Sequence, residues 1–306
     1  MNRRRFLANA AALGAAPVLT SDFALAADKP VVAPKLTPPL VGSQLYGWGQ
    51  YYGRDGKDLD RNLGEVLSAL RDAGYDYAEG TLDVAKPDNT AAFAEQLKKK
   101  GLKPVSLYSG GALHVVGKAN ETAEKIAVAA KTAAKAGFAI INVNPDPIGR
   151  DKTDAELVTQ AEALVELGEE LRKLGMKLGI HHHTPELRNG AKEFHSNFAR
   201  CPQDTVGFCY DVHWVYRGGI PPSECLPRYG NRVVSWHLRQ SRDQIWWEDL
   251  DSGDIDYVAV ARVARDQKIP AFYTVELALE SGTRITRSVV ENHARSRAFV
   301  KQVMSA

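Results

Sequence analysis

Residues 178–186, Leu-Gly-Ile-His-His-His-Thr-Pro-Glu, run three consecutive imidazoles off the end of an apolar segment. If 176–181 is a β-strand, side chains alternate between its faces, so His181 and His183 share one side and His182 lies on the other. Two imidazoles about 7 Å apart along one strand can serve a single metal or a single substrate. Chemically competent residues recur at the ends of other β-rich segments: Glu79, the pair Asp211 and His213, the pair His237 and Arg239, and Glu276. An imidazole, a carboxylate, an imidazole and a carboxylate from four successive segments can close around one divalent ion. Such mixed N/O ligation suits Mn²⁺, Co²⁺, Fe²⁺ or Zn²⁺ better than Ca²⁺.

Each of these residues also has a purely structural reading. Asp211 could cap the segment that follows it, and Glu276 could pair with Arg239 as a buried ion pair. A lone Glu79 at a strand end would ordinarily meet a lysine or arginine. His114, in the Gly110-Gly111-Ala112-Leu113-His114 loop, reads as a surface-loop histidine within reach of a substrate. Trp246 and Trp247 could stack on the apolar face of a sugar or anchor a lid. His195 and His293 fall in helical stretches and carry no role.

The elements that must position these residues alternate regularly. Strands are expected over 41–46, 75–79, 103–108, 138–143, 176–181, 205–210, 232–238 and 271–277. Helices are expected over 59–73, 90–100, 119–136, 154–174, 191–200, 222–229, 255–266 and 286–303. Gly74, Gly101, Gly137 and Gly175 each follow a helix where a left-handed cap is wanted. Eight β/α pairs over 40–306 have the size and rhythm of a single-domain α/β (β/α)₈ TIM barrel, in which strand C-termini form the active face. A doubly wound open sheet is the rival, but no Gly-x-Gly-x-x-Gly follows the first strand.

At 306 residues and 44% hydrophobic composition, the chain can bury a large core. Residues 1–27 read as a signal peptide, with a basic start at Arg3-Arg4-Arg5, an Ala-rich run and a small-residue site at Ala24-Leu25-Ala26. The paired arginines before Phe6-Leu7 resemble the twin-arginine signal, which predicts delivery of a folded protein to the bacterial periplasm. Residues 28–39 read as a Pro-rich linker. From 39 basic and 37 acidic residues, cleavage near Ala26 removes three Arg and one Asp, leaving 36 of each. That balance argues against nucleic acid as a partner. No cysteine near the cleavage site suggests a lasting membrane anchor, and Cys201, Cys209 and Cys225 allow one internal disulfide at most.

The chain resembles the sugar phosphate isomerase/epimerase family of xylose isomerase-like TIM barrels from Leu40 to Val303. The resemblance is carried by Ala73-Gly74-Tyr75-Asp76-Tyr77-Ala78-Glu79, by Ile180-His181-His182-His183-Thr184-Pro185-Glu186-Leu187 and by Tyr210-Asp211-Val212-His213-Trp214-Val215. It continues through Arg228-Tyr229-Gly230-Asn231-Arg232-Val233-Val234-Ser235-Trp236-His237-Leu238-Arg239 and Tyr273-Thr274-Val275-Glu276. It implies one divalent metal, with Mn²⁺ first and Co²⁺, Fe²⁺, Zn²⁺ or Mg²⁺ as alternatives. The ligands it implies are Asp211, His237, Glu276 and, where many members have Glu, His181; that exchange leaves His183 as the competing ligand.

The implied reaction abstracts a proton next to the carbonyl of a keto-sugar and passes through an enediolate. Glu79 or Glu186 is the expected base, His183 the acid/base partner and Arg239 the oxyanion clamp, with His114, His213, Trp246 and Trp247 as substrate contacts. Returning the proton gives an epimer or isomer, whereas expelling a β-substituent makes a 3-keto-glycoside lyase or hydratase. A non-catalytic sugar-binding barrel and a three-zinc DNA-repair endonuclease are the other readings, the latter at odds with the neutral charge. A homo-oligomer is compatible with all of these.

Overall fold

The computed structural model describes residues 31–304. Eight parallel strands close into a barrel: β1 (Leu40–Gln44), β2 (Tyr77–Thr81), β3 (Ser106–Gly111), β4 (Ile140–Pro145), β5 (Lys177–Ile180), β6 (Gly207–Asp211), β7 (Val233–Leu238) and β10 (Phe272–Val275). Between the last two lies a small antiparallel hairpin of β8 (Ser241–Arg242) and β9 (Ile245–Trp246). Around the barrel the order is β1-β10-β7-β6-β5-β4-β3-β2, so β1 pairs with both β2 and β10. The (β/α)₈ expectation therefore holds.

The outer layer comprises α1 (Leu45–Arg54), α2 (Leu59–Asp72), α3 (Pro87–Lys99), α4 (Ala119–Ala136), α5 (Asp154–Lys173), α6 (Arg188–Arg200), α7 (Val212–Arg217), α8 (Pro222–Tyr229), α9 (Tyr257–Asp266) and α10 (Val289–Phe299). Helix α4 buries Ala123, Ala130, Ala133 and Ala134 with Ile126, a small-residue face that lets it approach its neighbours closely. Helix α5 starts in a capping box of Thr153 and Glu156. Gly74, Gly101, Gly137 and Gly175 adopt φ of 86°, 78°, 111° and 69°, as their position after helices predicts.

Several boundaries differ from the sequence reading. The first strand stops at Gln44, whose side chain caps the Tyr46 N–H and starts α1, a helix not expected from its Gly-rich, aromatic sequence. Asp256 and Ser288 accept N–H groups from Ala259 and Glu291, so α9 and α10 begin two and three residues later than periodicity suggests. The expected linker is not free of packing in its described part: Ala33 is buried, its N–H donates to Leu174 O at 2.7 Å, and Leu36 packs on the core. The expected signal peptide lies outside the described residues.

Leu40, Tyr77, Val105, Ile140 and Phe272 come from strand starts and fill the N-terminal end of the barrel. Burying each such side chain is worth about 1.5–3 kcal/mol. Above them the interior turns polar. Ser235 on β7 donates to Asn142 Oδ1 on β4 at 2.7 Å, a bond between non-neighbouring strands that crosses the lumen. Asn142 in turn donates to Glu79 Oε2 at 2.9 Å. This polar layer is the floor of the site.

Candidate active site

Strand alternation brings His181, Asp211, His237 and Glu276 to the C-terminal mouth, where one ligand atom from each lies within 4.8 Å of the others. All four are buried. His181 Nε2 is 3.5 Å from Asp211 Oδ2, and His237 Nδ1 is 3.0 Å from Glu276 Oε2. Strand six thus ends in a residue with two duties, because Asp211 also accepts the Trp214 N–H at 2.7 Å and caps α7. The Glu276–Arg239 ion pair raised as a structural alternative is likewise real, at 3.0 Å. In both cases the structural role and the clustering coexist.

Each histidine of the cluster is backed by an acceptor that fixes its tautomer. Asn144 Nδ2 donates to Pro145 O at 2.8 Å, so its Oδ1 accepts from His181 Nδ1 at 3.2 Å. That leaves His181 Nε2 as a lone-pair atom pointing into the cluster, buried and without a hydrogen-bond partner among the described residues. On the opposite side Glu79 Oε1 accepts from His237 Nε2 at 2.7 Å, leaving Nδ1 toward Glu276. Two imidazoles and two carboxylates whose ligand atoms lie within 4.8 Å of one another fit a divalent ion, which would take the place of the proton that Glu79 and Glu276 favour on His237.

Charge is distributed unevenly. Burial pulls the His237 pKa down, but Cys209, Glu79 and Glu276 outweigh it and hold the imidazole well above its ordinary value. Burial also dominates at Asp211, whose carboxyl is raised despite Arg239. For Glu276, the Arg239 guanidinium and His237 overcome burial and keep the carboxylate below its usual range. His181 and His183 are lowered, first by burial and then by neighbouring imidazoles, His183 to about 3.

A cavity of about 1470 Å³ opens above the cluster. Glu79, His181, His183, His237, Arg239, Trp214, Trp246 and Glu276 contribute to its wall. The Arg239 guanidinium carbon lies 4.1 Å from the Trp246 ring centroid, and Nε and Nη1 have no partner among the described residues. The hairpin that presents Trp246 is pinned by Glu280, which accepts the Trp246 N–H at 2.7 Å, and by Asp254, which accepts from Ser241 Oγ at 2.6 Å. Asp254 thus anchors the hairpin, also accepting the Asp243 and Gln244 N–H groups of its turn.

Other sequence-based assignments fall elsewhere. Glu186 does not line the cavity; it accepts the His183 N–H at 2.7 Å, and burial raises its carboxyl to about 7. Trp247 lies off the cavity under Arg242, whose guanidinium carbon is 3.9 Å from its ring. His114 is buried rather than in a surface loop, and His213 is fully buried beside Trp246; neither lines the cavity. His195 meets Tyr229 Oη at 2.7 Å and His293 stacks on Trp48 at 4.3 Å. All three cysteines are free and buried.

Three wall or backing residues were missed in the sequence: Tyr108, edge-on to His181 at 5.4 Å; Trp214, edge-on to His183 at 5.3 Å; and Asn144. Asn142 and Asn144 alternate within an otherwise apolar strand, a pattern that marks an inward-facing polar row.

The chain belongs to the xylose isomerase-like TIM barrel family, whose sequence profile matches residues 67–301. It is similar to an inosose dehydratase of Clostridium perfringens, 25% identical over 167 residues covering 49% of this chain and 55% of the relative. The chain spans about half the length, or less, of the curated relatives it matches. Its fold is that of a sugar phosphate isomerase/epimerase from Parabacteroides distasonis, with a TM-score of 0.71 at 20% identity over 88% of this chain and 96% of the other. A Methylomonas D-allulose 3-epimerase solved with D-allulose superposes with a TM-score of 0.67 at 13% identity, covering 90% and 100%.

Proposed function

We propose that the protein is a divalent-metal-dependent keto-sugar isomerase or epimerase that removes a proton next to a carbonyl. The observation that carries this reading is the buried His181–Asp211–His237–Glu276 cluster opening directly into a cavity walled by Arg239 and His183. When bound, the ion would act as a Lewis acid on the substrate's oxygens, with Mn²⁺ the first choice for this donor set. Arg239, held flat by Trp246, presents unpaired N–H groups to charge developing on the substrate oxygen. His183, kept neutral by burial, lines the cavity beside the cluster and is the partner in proton transfer. Glu276, at 9% the most exposed of the cluster, approaches from the end of β10, separated from β5 by β7 and β6 in the barrel order. A proton taken on one side can thus be returned on the other, giving epimerisation, or to the adjacent carbon, giving isomerisation.

In this reading Glu79 is the positioning carboxylate behind His237, supported by its bond to His237 Nε2, and Glu186 holds the backbone of His183, so the base is sought elsewhere. Elimination is the second reading, favoured by the dehydratase name of the curated relative. Export to the periplasm belongs to the same proposal; Arg3→Lys with Arg4→Lys should hold the precursor in the cytoplasm, and normal delivery would mean another route.

The test is incubation of the Mn²⁺-loaded protein with a keto-sugar panel in D₂O. Deuterium should enter the carbon next to the carbonyl, with epimer or isomer as product. Absence of both exchange and product across the panel, with sugar binding retained, would leave a non-catalytic sugar-binding barrel.

A further inference from the structure

The cavity does not end at the metal cluster. Its roughly 1470 Å³ exceeds the ~300–1,000 Å³ of ordinary small-molecule sites. From the wall formed by the ends of β5, β7 and β10 and by α7 it crosses the mouth to the opposite arc of β1, β2 and β3. There it continues between Tyr46 and Gln50 of α1, Leu63 of α2, and Val84, Asn89 and Phe93 around the start of α3. The floor of this lobe includes Gly80 and Gly110, where an added Cβ would come within 2.9 Å of Phe93 and 2.8 Å of Asn144 O. Side chains there would press on the wall of the lobe.

The two ends differ in chemistry. Arg239 is the one lysine or arginine lining the cavity among the described residues, and it sits at the cluster. The charged side chains along the far lobe are Asp60 and Asp83, both acidic, so no cation there faces a phosphate or carboxylate. What the lobe offers instead is an apolar wall with amide groups beside it. Tyr46 and Val84 are 58% and 40% exposed, large apolar surfaces left open at the rim. An aromatic and aliphatic wall flanked by Gln50 and Asn89 suits a neutral ring with an apolar face and hydroxyl edges.

We propose that this lobe is a subsite for the neutral sugar or aglycone of a glycoside whose keto-bearing ring sits at the metal cluster. The substrate class is then a keto-glycoside or keto-disaccharide, larger than a free ketohexose and not phosphorylated. This rests on the keto-sugar reading above, and the test separates the two.

Binding is measured by calorimetry on the Mn²⁺-loaded protein with phenyl β-glucoside and with glucose, neither of which requires turnover. Phenyl glucoside should bind at least tenfold more tightly, and Tyr46→Ala and Val84→Arg, both at exposed positions, should remove most of that difference without changing glucose binding. Equal affinities for the two ligands, or a difference that both variants leave intact, would overturn the subsite. Turnover is scored separately with a free ketohexose and phenyl 3-keto-glucoside. A lower KM for the glycoside that Val84→Arg raises about tenfold, with kcat on the ketohexose unchanged, supports the subsite. Loss of all turnover with the binding difference preserved would remove the catalytic reading and keep the lobe.

Discussion

Glu79 Oε1 on β2 lies 2.7 Å from His237 Nε2 on β7, and the other oxygen of the same carboxylate accepts from Ser106 and Asn142. A carboxylate behind a metal-facing imidazole fixes the ring's tautomer and raises its basicity. Glu79→Gln keeps a hydrogen-bonding side chain of the same shape but removes the charge. It should lower divalent-metal affinity by roughly ten- to a hundredfold with the fold intact. Metal titration against a competing chelator reads this directly, and an unchanged affinity would return Glu79 to the list of candidate bases.

His181 and His183 should separate cleanly. His181→Ala, like Asp211→Ala or Glu276→Ala, should strip the ion, because the His181 Nε2 lone pair faces the cluster. His183→Ala should retain it and lose turnover by roughly a hundred- to ten-thousandfold, the range for a removed general acid/base. Elemental analysis of the four variants beside kinetics checks both halves. Reversed metal contents would shift the ligand by two residues.

His293 gives a pH dependence away from the site. It is buried against Trp48, and desolvation lowers its pKa to about 4 despite its bond to Val289 O. In the unfolded chain the same group titrates near 6.5. Below that value the unfolded state binds the extra proton, so the native state has its full stability above pH 6.5 and loses about 3 kcal/mol as pH falls toward 4. His293→Gln should flatten that slope in urea unfolding measured at pH 4.5 and 7.5, and an identical slope would remove His293 as its source.

Lys152 and Glu193 form an ion pair at 2.6 Å with side chains only 1% and 11% exposed. Lys152→Met leaves Glu193 buried without its cation and should cost about 3–5 kcal/mol. Lys152→Met with Glu193→Leu should recover most of that loss. Unfolding midpoints of the single and double variants decide between an ion pair and a solvated contact.

The fold was legible because the apolar segments, the glycine caps and the polar strand ends all keep one register. The four cluster residues were legible for the same reason, since alternation fixes their common face. What was not legible came from contacts across the barrel. No spacing in the sequence says that Glu79 meets His237, 158 residues away, or that Asn144 meets His181. Trp246 and Trp247 are equivalent by composition, and only the hairpin turn decides that Trp246 faces Arg239 while Trp247 faces Arg242. The start of α1 was hidden for a different reason: a side-chain cap from Gln44 overrides the weak helix propensity of glycine and aromatic residues.

The pairing of β1 with β10 joins Leu40 to Phe272. Such a contact closes one of the longest loops the chain can make, and long-range pairings are slow to form and follow local ones. Three of the four cluster residues precede β10, but Glu276 arrives with it. The cluster is therefore incomplete until the final strand docks, so an ion that needs all four side chains could be held only after that closure.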